Sequence, residues 1–275
     1  MNKKILFTSG GTGGHLFPAI NLMNNLFKKD FEVVLVTDIR GNNFLKENSK
    51  FRSIIIKAYT TTNQNLIKKF YSLILIFISI LKAFFILKKE KPDLIIGFGG
   101  YVSFPMCFSS KFLKIPLAIY ENNLVLGRTN KTLLPIAKKI FLGTKIPVVL
   151  SEKYKNKIFY VGNILREEII NFSENNISTN KKDFSILILG GSQGAEIFGE
   201  IIPPSIKMLK DKGYNIKINQ QCTEIQKLYL RDFYSKNNIE NNIFNFSNDV
   251  VKLMSSSDLA ISRSGASTTA ELVNT

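Results

Sequence analysis

The chain's single histidine, His15, closes the run Ser9-Gly10-Gly11-Thr12-Gly13-Gly14-His15, with Pro18 just beyond it. Glycines let a backbone approach a ligand closely, and a helix opening behind them offers unpaired N–H groups and a positive dipole end. An imidazole at the mouth of such a loop has the chemistry of a general base, since its proton affinity lies near neutral pH. The plainer alternative is a histidine satisfied by hydrogen bonds near a helix start. The loop nearly fits the dinucleotide fingerprint GxGxxG, and Asp38 stands where a ribose-binding acid would follow. Counting from Gly11 and Gly13, however, the third glycine falls on Leu16, which argues against a dehydrogenase.

Two further constellations could hold phosphates. The run Gly190-Gly191-Ser192-Gln193-Gly194 follows the apolar stretch Ser185–Leu189. The run Ser262-Arg263-Ser264-Gly265-Ala266-Ser267-Thr268-Thr269-Ala270-Glu271 follows another short apolar stretch and opens a helix. Its N–H groups and hydroxyls suit a diphosphate, and Glu271 suits ribose hydroxyls. A Ser/Thr-rich helix cap with a capping-box acid reads the same way, so this run alone leaves both open.

The elements that must position these residues are short apolar strands alternating with helical segments. Strands are expected at Lys4–Thr8, Glu32–Thr37, Leu94–Gly97, Leu117–Tyr120, Lys139–Leu142 and Ile158–Val161, then at Ser185–Leu189, Asn215–Asn219, Ile243–Phe246 and Leu259–Ser262. Continuous apolar strands separated by helices imply parallel sheets covered on both faces, an α/β class. Each series begins with a strand leading into glycines, so two Rossmann-like, doubly wound domains are expected to face a cleft beyond their strands' carboxyl ends. The polar stretch Asn171–Asp183 reads as a connection, giving domains 1–165 and 184–275 with a linker at 166–183.

The segment Lys68–Lys91 stands apart. From Tyr71 to Leu87 its only charge is Lys82, and lysines flank it on both sides. Phe70, Ile74, Phe77 and Ile80 fall on one helical face, the pattern of an amphipathic helix seated in lipid headgroups. A buried core helix and a short membrane span are the alternatives.

The net charge of +16 comes from 37 basic residues, of which six are Arg. Lysines spread this evenly read as solvated surface with attraction to an anionic membrane, and no aromatic-interleaved basic motif points to nucleic acid. One histidine excludes a multi-histidine metal centre, and Cys107 and Cys222 lack metal-site or disulfide spacing. Ile5-Leu6-Phe7 is too short for a signal peptide and reads as a buried strand.

Taken together, Gly10–Ala19, Gly99-Gly100-Tyr101-Val102-Ser103, Glu121-Asn122-Asn123, Val161-Gly162-Asn163, Gly190–Gly194 and Arg263-Ser264-Gly265 resemble the motifs of the MurG family in their order. The family comprises GT-B glycosyltransferases that carry N-acetylglucosamine from UDP onto undecaprenyl-diphospho-muramoylpentapeptide, with inversion, at the cytoplasmic face of the bacterial inner membrane. The resemblance implies His15 as base. It implies a donor site of Thr12, Gly13, Gly14, Asn123, Arg166, Ser192, Ser247, Ala266, Ser267, Thr268, Thr269 and Glu271, although Ser247 stands where the family has an apolar side chain. The Phe70–Leu81 face resembles the family's membrane-docking patch. No cofactor and no protein-bound metal are implied. Family members continue beyond the position of Thr275 with further strands, so the second domain is expected to be incomplete. A related nucleotide-sugar enzyme of the same architecture and a non-catalytic fragment are the rival readings.

Overall fold

Eleven strands form two wholly parallel sheets in the computed structural model, which describes residues 2–11, 13–48, 51–59, 65–145, 151–171, 183–191, 196–247 and 249–275. The chain divides into two compact units, Met1–Ile164 and Leu165–Thr275. The expected linker falls mostly on residues 172–182, which lie outside the described residues.

In the first unit the chain runs β1 (Lys4–Thr8), α1 (Gly13–Phe27), β2 (Glu32–Thr37), α2 (Ile39–Asn48), β3 (Arg52–Ile55), α3 (Leu66–Glu90) and β4 (Leu94–Gly97). It continues through α4 (Ser103–Ser110), β5 (Leu117–Glu121), α5 (Arg128–Leu133), β6 (Lys139–Leu142) and β7 (Ile158–Tyr160). The sheet order β3-β2-β1-β4-β5-β6-β7 reverses direction between β1 and β4. There the first connection leads one way and the later ones the other, which opens a crevice at the strands' carboxyl ends.

Alternation along each strand feeds two layers. Leu6, Val36 and Ile95 turn toward Ala83 and Leu87 on α3, Val102 just before α4, Met106 on α4 and Leu133 on α5. Ile5, Phe7, Leu35 and Ile96 turn toward Leu16, Ala19, Ile20 and Met23 on α1. Burial on both faces is why these strands carry uninterrupted apolar runs.

The second unit holds α6 (Glu167–Ile170), β8 (Phe184–Leu189), α7 (Glu196–Asp211), β9 (Ile216–Gln221), α8 (Glu224–Lys236), β10 (Glu240–Phe244), α9 (Val250–Ser256), β11 (Leu259–Ser262) and α10 (Ala266–Val273). Its sheet order, β10-β9-β8-β11, repeats the same reversal between β8 and β11. Ile186 and Ile188 pack with Ile202, Ile206, Leu230 and Tyr234, whereas Leu187 and Leu189 pack with Met254 on the opposite face.

Three strand expectations need correction, one of them the strand expected at Asn215–Asn219, which runs from Ile216 to Gln221. The edge strand β3, Arg52–Ile55, is absent from the sequence reading because none of its residues is fully buried and it pairs with β2 alone. The strand expected at Ile243–Phe246 starts earlier, at Glu240, since polar Glu240, Asn241 and Asn242 pair in register with Lys217, Ile218 and Asn219 at the sheet's edge.

Helix α3 has an inverted polarity. Ser72, Ser79, Ala83, Leu87 and Glu90 are buried, while Phe70 (68% exposed), Phe77 (60%) and Phe85 (65%) face outward with Ile74 and Leu81. Inward, Ser79 donates to the carbonyls of Lys57 and Leu75, and Ser109 donates to the Ile80 carbonyl. The buried Glu90 carboxylate accepts from Arg52 Nη1 and Nη2 and pairs with Lys4, pinning the helix's end to the sheet. Of the four residues expected on the outer stripe, Ile80 is therefore half-buried on the packed side, and the exposed row runs Phe70, Ile74, Phe77, Leu81, Phe85. By length and composition, Lys68–Glu90 is apolar enough to cross a membrane.

Candidate active site

At the reversal between β1 and β4, two glycine turns meet. The Gly10 amide donates to the Gly99 carbonyl at 3.4 Å, and a Cβ on Gly100 would lie 3.3 Å from the Gly10 backbone. Gly99 and Gly100 adopt φ values of +87° and +75°, a region that L side chains rarely enter. Ser103 fixes this turn by donating to the carbonyls of Thr8 (2.8 Å) and Gly99 (2.6 Å).

His15, in the first turn of α1, rests against this turn. A Cβ on Gly99 would come within 3.2 Å of His15 Cε1 and 3.4 Å of its Nδ1. Burial is the largest influence on the imidazole and holds its pKa below the ordinary 6.5, while the Glu121 carboxylate and the Phe98 carbonyl pull the other way. The ring is thus neutral at physiological pH, the protonation state a general base requires. Its Nδ1 is buried and has no hydrogen-bond partner.

Glu121 organises the neighbouring loop. It ends the apolar strand β5, is 2% exposed and has no cation beside it in any ion pair among the described residues. Four donors satisfy it instead. The Asn123 amide (3.1 Å) and Asn123 Nδ2 (2.7 Å) bond to Oε1, and the Gly127 amide (2.8 Å) and Asn130 Nδ2 (3.0 Å) bond to Oε2. Asn122 Nδ2 donates to the Gly14 carbonyl at 3.1 Å, tying this loop to the start of α1. Tyr120 reaches the turn after β7, donating to the Gly162 carbonyl and accepting from the Ile164 amide.

The structure brings Gly13, Gly14, His15 and, through Glu121, Asn123 to one edge of the first unit. Gly13 is buried at the start of α1, and Gly14 has open space where a Cβ would be. Asn123 is exposed. Thr12 and Ser192 lie outside the described residues. Asp38 does not stand free for a ribose. It accepts from Arg40 Nη2 (2.7 Å), Arg40 Nε and the Gly41 amide, and Arg40 also donates to Tyr101. Burial pushes the Asp38 carboxyl up, but these donors outweigh it and the pKa falls.

In the second unit, Glu271 is buried one and a half turns into α10 and meets Arg166. Arg166 Nε donates to Oε1 at 2.9 Å and Nη2 to Oε2 at 3.3 Å. Burial raises the Glu271 pKa, and Arg166 opposes that shift without cancelling it. The two residues assigned separately to the donor are therefore partners. Ala266, Ser267, Thr268 and Thr269 form the first turn of α10, which Gly265 caps without a side chain. Ser247 is half-buried between β10 and α9, and its hydroxyl accepts from the Asp249 amide at 3.1 Å.

Sequence reasoning missed the fourfold acceptor role of Glu121, and it missed Asn130 altogether. An acid closing an apolar strand was the available signal for Glu121. Asn130 had none, being one polar residue in a short helix.

Residues 5–142 match the glycosyltransferase family 28 N-terminal domain, and residues 185–275 match its C-terminal domain. The UDP-N-acetylglucosamine--N-acetylmuramyl-(pentapeptide) pyrophosphoryl-undecaprenol N-acetylglucosamine transferase of Rickettsia felis is 39% identical over 98% of this chain and 76% of its own length. The enzyme of that name from Pelagibacter ubique is 38% identical over 99% of this chain and 75% of its own. Among solved structures, Acinetobacter baumannii MurG superposes with a TM-score of 0.72 at 26% identity, covering all of this chain and 76% of its own. A putative UDP-N-acetylglucosamine 2-epimerase from Listeria monocytogenes, 13% identical with a TM-score of 0.64 over 97% of this chain and 75% of its own, shares the fold.

Proposed function

Because the chain belongs to glycosyltransferase family 28, and within it to the UDP-N-acetylglucosamine--N-acetylmuramyl-(pentapeptide) pyrophosphoryl-undecaprenol N-acetylglucosamine transferases, we propose that it completes the lipid-linked disaccharide of the bacterial cell wall. It is a glycosyltransferase with two Rossmann-like sheets. Its donor is UDP-N-acetylglucosamine, and its acceptor is undecaprenyl-diphospho-muramoylpentapeptide.

His15 takes the proton from the acceptor's sugar hydroxyl as that oxygen attacks the anomeric carbon. The carbon–oxygen bond to the diphosphate breaks with inversion, and its electron pair leaves with UDP. Gly13 and Gly14 let the ligand approach the start of α1. Ser267, Thr268 and Thr269 at the start of α10 stabilise the charge gathering on UDP, Glu271 holds its ribose, and Arg166 orients Glu271 and favours its ionised form. Asn123 and Ser247 contact the sugar and the uracil from their loops. The exposed row of α3, with its lysines, seats the enzyme on the anionic cytoplasmic face of the membrane, where the acceptor resides.

The observation that carries this reading is His15, a half-buried imidazole whose pKa is lowered, set against the glycine turns at the β1/β4 reversal. Transfer of labelled N-acetylglucosamine from UDP to the lipid-linked acceptor tests it. His15→Ala is expected to lose about a hundredfold or more in kcat. An unchanged kcat in a folded variant would remove His15 from the reaction.

A further inference from the structure

We infer that Asn130 is a positioning residue for His15: held by Glu121, its amide oxygen accepts the Nδ1 proton of the neutral ring and leaves Nε2 as the lone-pair base. The inference deepens the reading of His15 given above and stands on separate observations. Two buried side-chain atoms near Gly99 lack partners, His15 Nδ1 and Asn130 Oδ1. Both groups abut that glycine. A Cβ built there would touch the ring, at 3.4 Å from Nδ1, and the amide, at 3.4 Å from Asn130 Nδ2. Leaving a buried polar atom unpaired is costly, and a hydrogen bond between these two would satisfy both.

The direction of that bond follows from donors and acceptors. Asn130 Nδ2 donates to the Tyr120 carbonyl and to Glu121 Oε2, both at 3.0 Å. Both partners are acceptors, so the nitrogen and oxygen of the amide cannot be exchanged. With its two N–H groups engaged, Asn130 offers His15 only an oxygen. The Phe98 carbonyl, also beside the ring, is likewise an acceptor. An Nδ1 joined to the Asn130 oxygen carries the proton, since an amide oxygen can only accept. Glu121 acts at one remove, since each of its oxygens already takes two donors. Among the described residues it is the charged group that acts on the ring. The arrangement is base, orienting amide and buried carboxylate, in which the third group sets the tautomer of the first.

The sequence makes a direct test simple, because His15 is the chain's one histidine. In the 275-residue chain labelled with 15N-histidine, long-range proton–nitrogen spectra report its tautomer without assignment. Above the ring's midpoint, the expected result is a protonated Nδ1 and a pyridine-type Nε2. A ring protonated on Nε2, or one averaging between the two forms, overturns the proposal. In the same unmutated chain, the Asn130 side-chain carbonyl carbon is expected to titrate at the His15 midpoint, and a flat response also overturns it. Asn130→Ala is expected to lower the midpoint, because the imidazolium loses an acceptor, and to mix the tautomers. A folded Asn130→Ala chain with an unchanged ring counts against the proposal. If that variant fails to fold, the two wild-type spectra decide alone. None of these readouts depends on turnover, so an inactive transferase assay and a wrong tautomer are separate results.

Discussion

At the scale of single residues, two titrations follow from the buried groups. The His15 pKa lies below 6.5 in the folded chain, so the neutral base persists above that value and is lost as pH falls through the lowered pKa. The acid limb of a kcat/KM profile is expected to fall with a midpoint under 6.5, and a midpoint above 7 would contradict a base desolvated in this way. The same shift acts on stability. The unfolded ring takes its proton first, so the contribution is complete above about 6.5 and declines as pH drops toward the folded value. Glu271 has the opposite sign. Burial raises its pKa and Arg166 restrains the rise, so Arg166→Ala leaves a carboxylate buried without its cation. Urea melts are expected to show a loss of about 3 kcal/mol at neutral pH. The loss shrinks as acid protonates Glu271 in the variant. An equal loss at pH 5 and pH 7 would mean that Arg166 contributes packing alone.

Helix α3 sets the test at the scale of elements. Burying one exposed phenylalanine in lipid contributes about 2 kcal/mol, so each of Phe70→Ser, Phe77→Ser and Phe85→Ser is expected to weaken binding to anionic vesicles roughly tenfold or more. Their melting temperatures should hardly move, because these side chains already face outward. Vesicle sedimentation paired with thermal melting separates the two effects, and a variant that melts early while binding normally would make the row a structural face. The sequence disclosed the helix and most of its outer row, since apolar spacing is a local property. It misplaced Ile80 because the orientation of the helix depends on inward contacts that spacing cannot show. Ser79 and Ser109 bonding to backbone carbonyls decide which side turns in. Strand β3 escaped for a related reason, as its pairing with β2 rests on register with Val34–Thr37 and hardly on its own composition.

At the scale of the whole molecule, each unit has its own core, Met1–Ile164 with two apolar layers and Leu165–Thr275 with two smaller ones. A ligand stabilises only what it binds, by about 2.7 kcal/mol at a hundred times its dissociation constant. UDP is therefore expected to raise the calorimetric transition of the second unit, which holds most of the proposed donor contacts, more than that of the first. A shift confined to the first unit would move the donor site there. Both reversals of strand order were legible in outline, because a glycine run after an apolar strand is visible in the sequence. The pairing of Arg166 with Glu271, 105 positions apart, was not. Neither was the convergence of Gly10, Gly99, Glu121 and Asn130 on His15, which the parallel topology brings about and no local pattern records.

The outward phenylalanines of α3 also bear on how the protein must be handled. In water without lipid, a row of this kind drives self-association, so purification should depend on detergent and concentration. On the reading proposed above, the same row would confine the enzyme to the bilayer plane in which an undecaprenyl-anchored acceptor diffuses. The search becomes two-dimensional, and residence time on the surface becomes a kinetic variable alongside affinity. Replacing the row with lysines to gain solubility would trade that residence time away, leaving an enzyme better behaved in the test tube and slower at finding its substrate.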